Sequence, residues 1–243
     1  MTGTNAYLFV DLDDSLLQTR DKCRHLPLFG AALDRSGVPL SFHTPQQIAL
    51  LDLFRDATLI PVTGRNLDAL RRVVSPPFSS YRITSHGALV LGPDEQPLGA
   101  WRAALEEQLP LWSERLTAIA GLAHRQIRRR GLGLRARIIE DLGFPVYLSV
   151  KGPPKELERL ADDLAPEWTT GIVHRNDHNL ALLPPFANKA TAVRHVMGAI
   201  RAACGETPLF IGIGDSLTDL PFLRLCHFAL VPQHSQIQEC TWS

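Results

Sequence analysis

The chain has no excess of charge of either sign, because 25 lysines and arginines balance 25 aspartates and glutamates among its 243 residues. Proteins that are drawn to nucleic acid or to an anionic membrane by a general electrostatic attraction carry a positive field instead. We therefore expect neither nucleic acid nor a membrane as a partner. The local basic run, Arg128 to Arg130, is typical of a solvated helix end.

Long apolar runs and paired cysteines are also lacking. No apolar stretch approaches the roughly 20 residues that a membrane-spanning helix needs. The opening residues, MTGTNAY, have neither the basic start nor the apolar run of a secretory signal, so we expect a cytoplasmic protein. The cysteines show no CxxC pair and no zinc-like spacing, which indicates reduced thiols that serve packing. They are Cys23, Cys204, Cys226 and Cys240.

The most informative stretch is YLFVDLDDSLL, from Tyr7 to Leu17, in which a strand-forming run ends in three aspartates. Buried carboxylates are costly unless a cation lies beside them. In open α/β sheets, ligands bind just beyond the carboxyl ends of the parallel strands, where Asp11 and Asp13 would lie. The stretch is also typical of a strand followed by an aspartate-rich turn in which Ser15 opens a helix. Partners elsewhere in the chain decide between the two interpretations.

The N-terminal and C-terminal parts of the chain both show alternating helix and strand patterns. These patterns predict an α/β fold with a Rossmann-like, doubly wound parallel sheet. Thr44, Pro45 and Gln47 carry the signature of a capping box at a helix start. The stretch ATLIPVTGR, residues 57–65, reads as a second buried strand. Asn66 can cap a further helix with an apolar face of Leu67, Leu70, Val73 and Val74. The role of the segment from 18 to 42 is not evident.

A different pattern separates these two flanks. Residues 81–101 predict a strand and a hairpin that turns at Gly92, and a helical region follows that we expect to break at Pro110. Strands over 132–139 and 144–150, a helix over 155–164 and a hairpin about Asn176 complete the pattern. Hairpins imply antiparallel pairing. We therefore predict an inserted α+β domain at residues 85–184, within a core formed by 1–84 and 185–243.

Three predicted core strands each end in a small polar set. Asp11 and Asp13 follow the first strand, Thr63 and Gly64 the second, and Asp215 with Asp219 a later one, LFIGI. Lys189 begins an intervening helix, where a cation is disfavoured unless an anion lies nearby. Since the carboxyl ends of parallel strands share one edge of the sheet, these groups can converge. Clustered carboxylates without cysteine or histidine favour Mg²⁺, and a hard cation beside a lysine and a hydroxyl suits a phosphoryl group.

The motifs DLDDS, VTGR, NKATAV and GDSLTD resemble, in order, the four motifs of the haloacid dehalogenase superfamily of phosphatases. The matching regions are about residues 7–66 and 186–231. The insertion is similar to the type IIB cap of sugar-phosphate phosphatases, a group that includes the sucrose-phosphate and mannosylphosphoglycerate phosphatases. The resemblance implies a Mg²⁺-dependent phosphatase whose substrate is a small phosphate ester, with a cap that sets specificity.

The same resemblance implies a role for each matching residue. Asp11 would be the nucleophile that forms an aspartyl phosphate, and Asp13 the general acid and base. Thr63 would bind a phosphoryl oxygen, and Lys189 would neutralise charge on the phosphoryl group. The implied metal site is formed by the Asp11 carboxylate, the Asp13 carbonyl, Asp215 and, as a supporting group, Asp219.

Substrate contacts are predicted more broadly. The candidates are the backbone amides of Leu12 and Gly64, and the side chains of Arg65, His86 and Asn188. For Arg65 an ion pair is the alternative, and for His86 a packed or solvated position. Two other functions stay open at this point: a phosphomutase that uses the same nucleophile, and a binding protein of the same fold without catalysis.

Overall fold

The computed structural model describes residues 5–23, 28–204 and 207–241. The strands are β1 (Ala6–Val10), β2 (Gln18–Thr19), β3 (Phe29–Leu33), β4 (Pro39–His43), β5 (Thr58–Pro61), β6 (Arg82–Thr84), β7 (Leu89–Leu91), β8 (Arg135–Asp141), β9 (Phe144–Lys151), β10 (Ile172–Asn176), β11 (Asn179–Leu183), β12 (Leu209–Ile213) and β13 (Phe228–Leu230). The α-helices are α1 (Pro45–Leu53), α2 (Leu67–Leu70), α3 (Gly99–Arg130), α4 (Pro154–Leu164), α5 (Lys189–Ala203), α6 (Leu220–Leu223) and α7 (Gln236–Thr241). Over these described ranges, no helix has the length and apolar character required to span a bilayer.

A parallel sheet of order β13-β12-β1-β5 confirms the predicted α/β class. β1 is central, which is why Leu8, Phe9 and Val10 are at most 1% exposed. The pairing continues past the strand ends, since the Asp11 amide donates to the Ile213 carbonyl at 2.8 Å. The ends of β1 and β12 are thereby fixed side by side. The polar residues that follow these two strands must emerge at the same edge of the sheet.

Two predicted helix starts are confirmed, although one helix is shorter than expected. Thr44 and Gln47 form the reciprocal capping box at the start of α1. The Asn66 side chain accepts a hydrogen bond from the Ala69 amide at the start of α2, which ends at Leu70. The expectation that Val73 and Val74 continue its apolar face is wrong. Residues 73–74 pair instead with β3, through a bridge from Val73 to Ala32, and this leaves Val74 53% exposed.

The segment between β1 and α1 forms a small antiparallel sheet of order β2-β4-β3. Ser41 on β4 is 3% exposed, and His43 at the end of β4 is fully buried. The His43 ring contacts the Leu16 carbonyl at 2.9 Å, which ties β4 to the loop after β1. Residues 24–27 of this segment lie outside the described part of the chain. The small sheet therefore borders the loop that carries the first motif.

Residues Gly99–Asn188 form one compact unit, and the chain up to Leu98 together with the chain from Lys189 onward forms the other. These boundaries lie later than the 85 and 184 expected from the sequence. The hairpin of β6 and β7, with its turn at Ser85–Gly87, accounts for the first difference, because it pairs the residues after 85 with the first unit. A short helix, α7, follows β13 where the sequence indicated only a polar tail.

The unit of residues 99–188 has an antiparallel sheet of order β10-β11-β9-β8. The two predicted hairpins are confirmed, and α3 and α4 bury apolar side chains such as Leu116 and Leu160 in a core shared with the sheet. The predicted break at Pro110 is wrong, since α3 runs through it. Pro110 and Glu106 are both exposed. Water can therefore hydrate the Glu106 carbonyl that the proline leaves without its helical donor, which offsets one part of the cost of a proline inside a helix.

Candidate active site

Three buried carboxylates meet where β1 and β12 end. Asp11 is 6% exposed, Asp215 5% and Asp219 fully buried. Each offers a carboxylate oxygen that lies within 4.8 Å of the other two. Asp11 follows β1 directly, and Asp215 follows β12 after Gly214. The structure thus brings together three of the four aspartates predicted for the metal site.

Lys189 lies between two of these carboxylates. Its Nζ donates to Asp11 Oδ1 and to Asp219 Oδ1, both at 2.6 Å. Burial alone would lower the pKa of Lys189, but the two carboxylates outweigh it and raise that pKa above its usual value. The lysine therefore stays charged. Its position at the first residue of α5, unfavourable for a cation, is explained by the two anions it contacts.

The Asp219 carboxylate accepts hydrogen bonds from Lys189 on α5 and from donors of its own loop. Oδ1 accepts from Lys189, and Oδ2 accepts from the Ser216 amide at 3.0 Å, the Ser216 hydroxyl at 2.7 Å and the Asp215 amide at 3.3 Å. Burial would raise the pKa of Asp219, but Lys189 and Ser216 hold it below its usual value. This arrangement fits an aspartate that supports a metal site and orders the loop.

Asp11 and Asp215 are less well compensated. Burial, the largest effect, raises the pKa of Asp11 well above its usual range, although Lys189 opposes the rise. Burial and the neighbouring Asp219 raise the pKa of Asp215 to about 6, against which Ser15 donates a hydrogen bond at 3.1 Å. The cluster thus holds three buried carboxylates and one lysine, which is bonded to Asp11 and Asp219. A bound cation would remove the remaining excess of negative charge, so the donor set fits a divalent ion of the Mg²⁺ type.

The Asp13 side chain is not one of these three mutually close carboxylates. It is 53% exposed and forms a two-pronged ion pair with Arg65, whose side chain is 14% exposed. Arg65 Nε and Nη2 donate to the two Asp13 carboxylate oxygens at 2.9 and 2.6 Å. Arg65 Nη2 also donates to the Ser41 hydroxyl at 3.2 Å. Of the two predictions for Arg65, the structure shows the ion pair; a contact with substrate stays a prediction.

Thr63 and Gly64 lie beyond the end of β5, beside the turn that carries His86. Thr63 is fully buried, and its hydroxyl accepts from the Arg65 amide at 3.1 Å. The His86 amide donates to the Thr63 carbonyl at 2.9 Å. A Cβ built on Gly64 would lie 2.6 Å from the His86 ring, so any larger residue there would have to displace that ring. His86, 9% exposed and at a φ of 58°, is therefore a packed residue of a strained turn.

The remaining predicted contacts are less informative. The Leu12 side chain is fully buried, and its carbonyl accepts from the Leu16 and Leu17 amides at 2.9 and 2.8 Å. Asn188 is half-buried, and its amide donates to the Phe186 carbonyl at 3.0 Å. A role for either in binding substrate stays a prediction.

Three supporting groups were not predicted from the sequence: Ser41, the contact of Ser15 with Asp215, and Ser216. Ser216 lies inside the fourth motif, GDSLTD, so the motif itself held that signal. Ser41 is 24 positions from Arg65 and on another sheet, and no local pattern connects the two. α7 adds a fourth support, because the Ile237 amide donates to the Asp215 carbonyl at 3.0 Å.

Comparison with known proteins identifies the fold. No protein-family model matches this sequence, and neither does any curated protein. Among solved structures, the sucrose-phosphatase from a Synechocystis species, in complex with sucrose and phosphate, is similar at 18% identity and a TM-score of 0.57, over 98% of this chain and 87% of the other. A trehalose-6-phosphate phosphatase related protein matches at 17% identity and a TM-score of 0.53, over 96% and 93% of the two chains.

A third neighbour is the C-terminal domain of trehalose-6-phosphate phosphatase from C. albicans, at 15% identity and a TM-score of 0.57, over 91% of this chain and 73% of that one. At these identities the likeness shows the fold. The chain has the fold of these phosphatases, as the four motifs predict, with a Rossmann-like core and an inserted α+β unit.

Proposed function

We propose that this chain, which has the fold of the haloacid dehalogenase phosphatases, is a Mg²⁺-dependent phosphatase that hydrolyses a small phosphate monoester through an aspartyl phosphate on Asp11. The observation that carries the proposal is the buried cluster of Asp11, Lys189, Asp215 and Asp219, in which three carboxylates lie together and the one lysine is bonded to two of them. Buried, under-compensated charge at the edge of a parallel sheet is costly for folding. A functional site is the usual reason for such an arrangement.

In the first step, an Asp11 carboxylate oxygen attacks phosphorus while the bond from phosphorus to the ester oxygen breaks. The electron pair of that bond leaves with the ester oxygen, which takes a proton from the Asp13 carboxyl group. Lys189, held 2.6 Å from Asp11, offsets the negative charge of the phosphoryl oxygens. The Thr63 hydroxyl and the Gly64 amide are the groups we assign to hydrogen bonding of the phosphoryl group.

In the second step, a water molecule attacks the aspartyl phosphate and gives a proton to the Asp13 carboxylate. The bond between phosphorus and Asp11 breaks, which releases inorganic phosphate and restores both aspartates. Asp13 suits both steps because half of its side chain surface is open to substrate and water, at 53% exposure.

Mg²⁺ would be held by the Asp11 and Asp215 carboxylates and the Asp13 carbonyl, with Asp219 as the supporting group. When bound, the ion neutralises phosphoryl charge and fixes the phosphate beside the nucleophile. Asp215 is kept in place by the Ser15 hydroxyl and Asp219 by Ser216, so the protein orients the site before the ion arrives.

A sugar phosphate, or a related cytoplasmic metabolite, is the substrate class that we favour. Two neighbours of the same fold are named for phosphatases of sucrose phosphate and trehalose 6-phosphate. We assign the unit of residues 99–188 to the cap that selects the substrate. Polar residues on its strands and at the turn between β10 and β11 are the candidates for that contact: Arg137, Lys151, His174 and His178.

The test is a panel of phosphate esters, including sugar phosphates, assayed for release of inorganic phosphate with Mg²⁺ and with EDTA. We expect release from at least one sugar phosphate in Mg²⁺ only, with Asp11→Asn as the inactive blank. Conversion of the sugar phosphate to an isomer without free phosphate would show a phosphomutase instead. Undiminished turnover in metal-stripped protein would contradict the metal assignment.

A further inference from the structure

The ion pair between Arg65 and Asp13 fixes the orientation of the Asp13 carboxylate as well as its distance from Arg65. Two parallel N–H donors from a planar guanidinium, at 2.9 and 2.6 Å, set both the direction and the plane of the Asp13 carboxylate. An exposed aspartate would otherwise rotate among several side-chain rotamers. Arg65 therefore restricts the side chain that must meet both the leaving oxygen and the attacking water.

Arg65 is itself held on several sides. Its amide donates to the Thr63 hydroxyl at 3.1 Å, and its carbonyl accepts from the Ser85 amide at 2.8 Å. Its Nη2 donates to Ser41, which is 3% exposed on β4. Exposed ion pairs contribute little because both partners move. Here only Asp13 is exposed. The Arg65 side chain is 14% exposed and its guanidinium is bonded to a buried hydroxyl, so the arginine partner of the pair is held in place.

We propose that Arg65 is a positioning residue that aims the Asp13 carboxylate at the reacting oxygens, and that Ser41 holds the guanidinium for this task. The inference rests on the proposed phosphatase function and differs from the sequence-based expectation that Arg65 contacts substrate. It also gives the segment of residues 28–43 a purpose, since β4 supplies Ser41.

The chemistry of the leaving group separates the two roles. An alkyl or sugar oxygen needs the proton from Asp13 as its bond to phosphorus breaks, whereas p-nitrophenolate leaves without one. A residue that aims Asp13 therefore matters for alkyl phosphates and little for p-nitrophenyl phosphate. A residue that binds the phosphoryl group matters equally for both. The ratio kcat/KM is the proper readout, because it ends at the step in which the leaving group departs.

The experiment compares wild type, Arg65→Lys, Ser41→Ala and a control, Arg55→Lys, on a sugar phosphate and on p-nitrophenyl phosphate. Lysine keeps the charge but lacks the two-pronged geometry. We expect Arg65→Lys to lower kcat/KM on the sugar phosphate about tenfold to a hundredfold and on the aryl ester less than about threefold. Ser41→Ala should also lower kcat/KM more on the sugar phosphate than on the aryl ester, but by a smaller factor than Arg65→Lys does. Arg55, in an exposed pair with Asp52, should change neither.

A second arm uses Asp13→Asn alone and combined with Arg65→Lys. If Arg65 acts through Asp13, the double variant loses no more activity on the sugar phosphate than Asp13→Asn does. Equal losses on both esters, or additive losses in the double variant, would overturn the proposal, as would normal activity of Arg65→Lys. Wild-type protein that is inactive on both esters would overturn the phosphatase function itself. Active wild-type protein together with an equally active Arg65→Lys variant would overturn only the inference about Arg65. Circular dichroism checks that each variant is folded.

Discussion

Asp11 and Asp13 are two residues apart in one motif, yet they lie in opposite surroundings. The Asp11 side chain is 9% exposed and contacts Lys189 at 2.6 Å, whereas the Asp13 side chain is 53% exposed and is paired with Arg65. Asp11 still continues β1, through its amide bond to Ile213, while the chain turns immediately afterwards at Asp14, whose φ is 66°. The end of a strand and the start of a turn thus divide one acidic run into a buried and an open carboxylate.

The difference explains how similar side chains can perform dissimilar chemistry. A nucleophile benefits from a dry site with fixed positive charge, because electrostatic interactions are stronger away from water. A proton carrier must reach both the departing oxygen and a water molecule, and so must be accessible. In the proposed mechanism, burial suits Asp11 to the first task and exposure suits Asp13 to the second. Substitution of each aspartate by asparagine tests this division directly.

Asp11→Asn should have the largest effect. The amide is nearly isosteric with the carboxylate but is not a nucleophile, so we expect phosphate release to fall by more than about a thousandfold. Because the amide oxygen can still accept from Lys189, the melting temperature should stay close to that of wild type. Steady-state phosphate release and thermal unfolding give the two readouts. Asp52→Asn, at an exposed position, is the control and should leave both unchanged. Normal turnover by Asp11→Asn would refute the covalent mechanism.

Asp13→Asn should have the next largest effect and a different signature. Loss of a general acid and base costs roughly 10² to 10⁴-fold in rate. With p-nitrophenyl phosphate, which needs no proton on leaving, Asp11 can still be phosphorylated but water is no longer activated to release it. We therefore expect the phosphoryl enzyme to accumulate in Asp13→Asn and to be absent from Asp11→Asn. Intact-mass spectrometry after rapid mixing measures this. Absence of the adduct from both variants would show that the two aspartates are not divided as we infer.

The sequence predicts the parts of this site that are local to a motif. The strand ends at Asp11, Thr63 and Asp215 are predictable because a parallel sheet collects them at one edge, and an anion near Lys189 is predictable from the position of this cation at a helix start. The helix caps and hairpins are likewise set by residues within a few positions of one another. The four motifs therefore predict the core of the site and its fold.

Contacts that depend on tertiary packing could not be predicted in the same way. Ser41 on β4 bonds Arg65 in the connection between β5 and α2, and Ser15 bonds Asp215 across 200 positions of chain. α3 continues through Pro110 at an exposed position, where water can satisfy the Glu106 carbonyl, and the local pattern does not reveal this exposure. Specific side-chain partners, and the tolerance of a site for a proline, are decided by the environment that the whole chain creates.

Removal of the metal should have an intermediate effect that depends on pH. The pKa of Asp215 is raised to about 6 in the folded protein, so the folded state holds the proton more tightly than the unfolded state. Without metal, the stabilisation from this proton is present at low pH and is lost as the pH rises through 6. Mg²⁺ competes with that proton. We therefore expect Mg²⁺ to raise the melting temperature by more at pH 7.5 than at pH 5.

Asp215→Asn is the matched variant for this measurement. Asparagine does not titrate. In EDTA, the melting temperature of the variant minus that of wild type should therefore increase as the pH rises from 5 to 7.5. The variant should also lose most of the Mg²⁺-dependent increase. Parallel pH curves for the two proteins, or an undiminished response of the variant to Mg²⁺, would contradict the assignment of Asp215 to the metal.

Ser15→Ala should have the smallest effect, a weaker affinity for Mg²⁺ without a change in the chemical step. The Ser15 hydroxyl donates to Asp215 Oδ1 at 3.1 Å, and both residues are buried. Without this donor Asp215 is less well oriented, and such supporting contacts change metal affinity roughly tenfold to a hundredfold. We expect the Mg²⁺ concentration for half-maximal activity to rise by about tenfold, while kcat at saturating Mg²⁺ stays near wild type. Ser36→Ala, at an exposed turn, is the control. A fall in kcat that excess Mg²⁺ does not restore would place Ser15 in the chemistry of Asp11 and Asp13 instead of in the metal site.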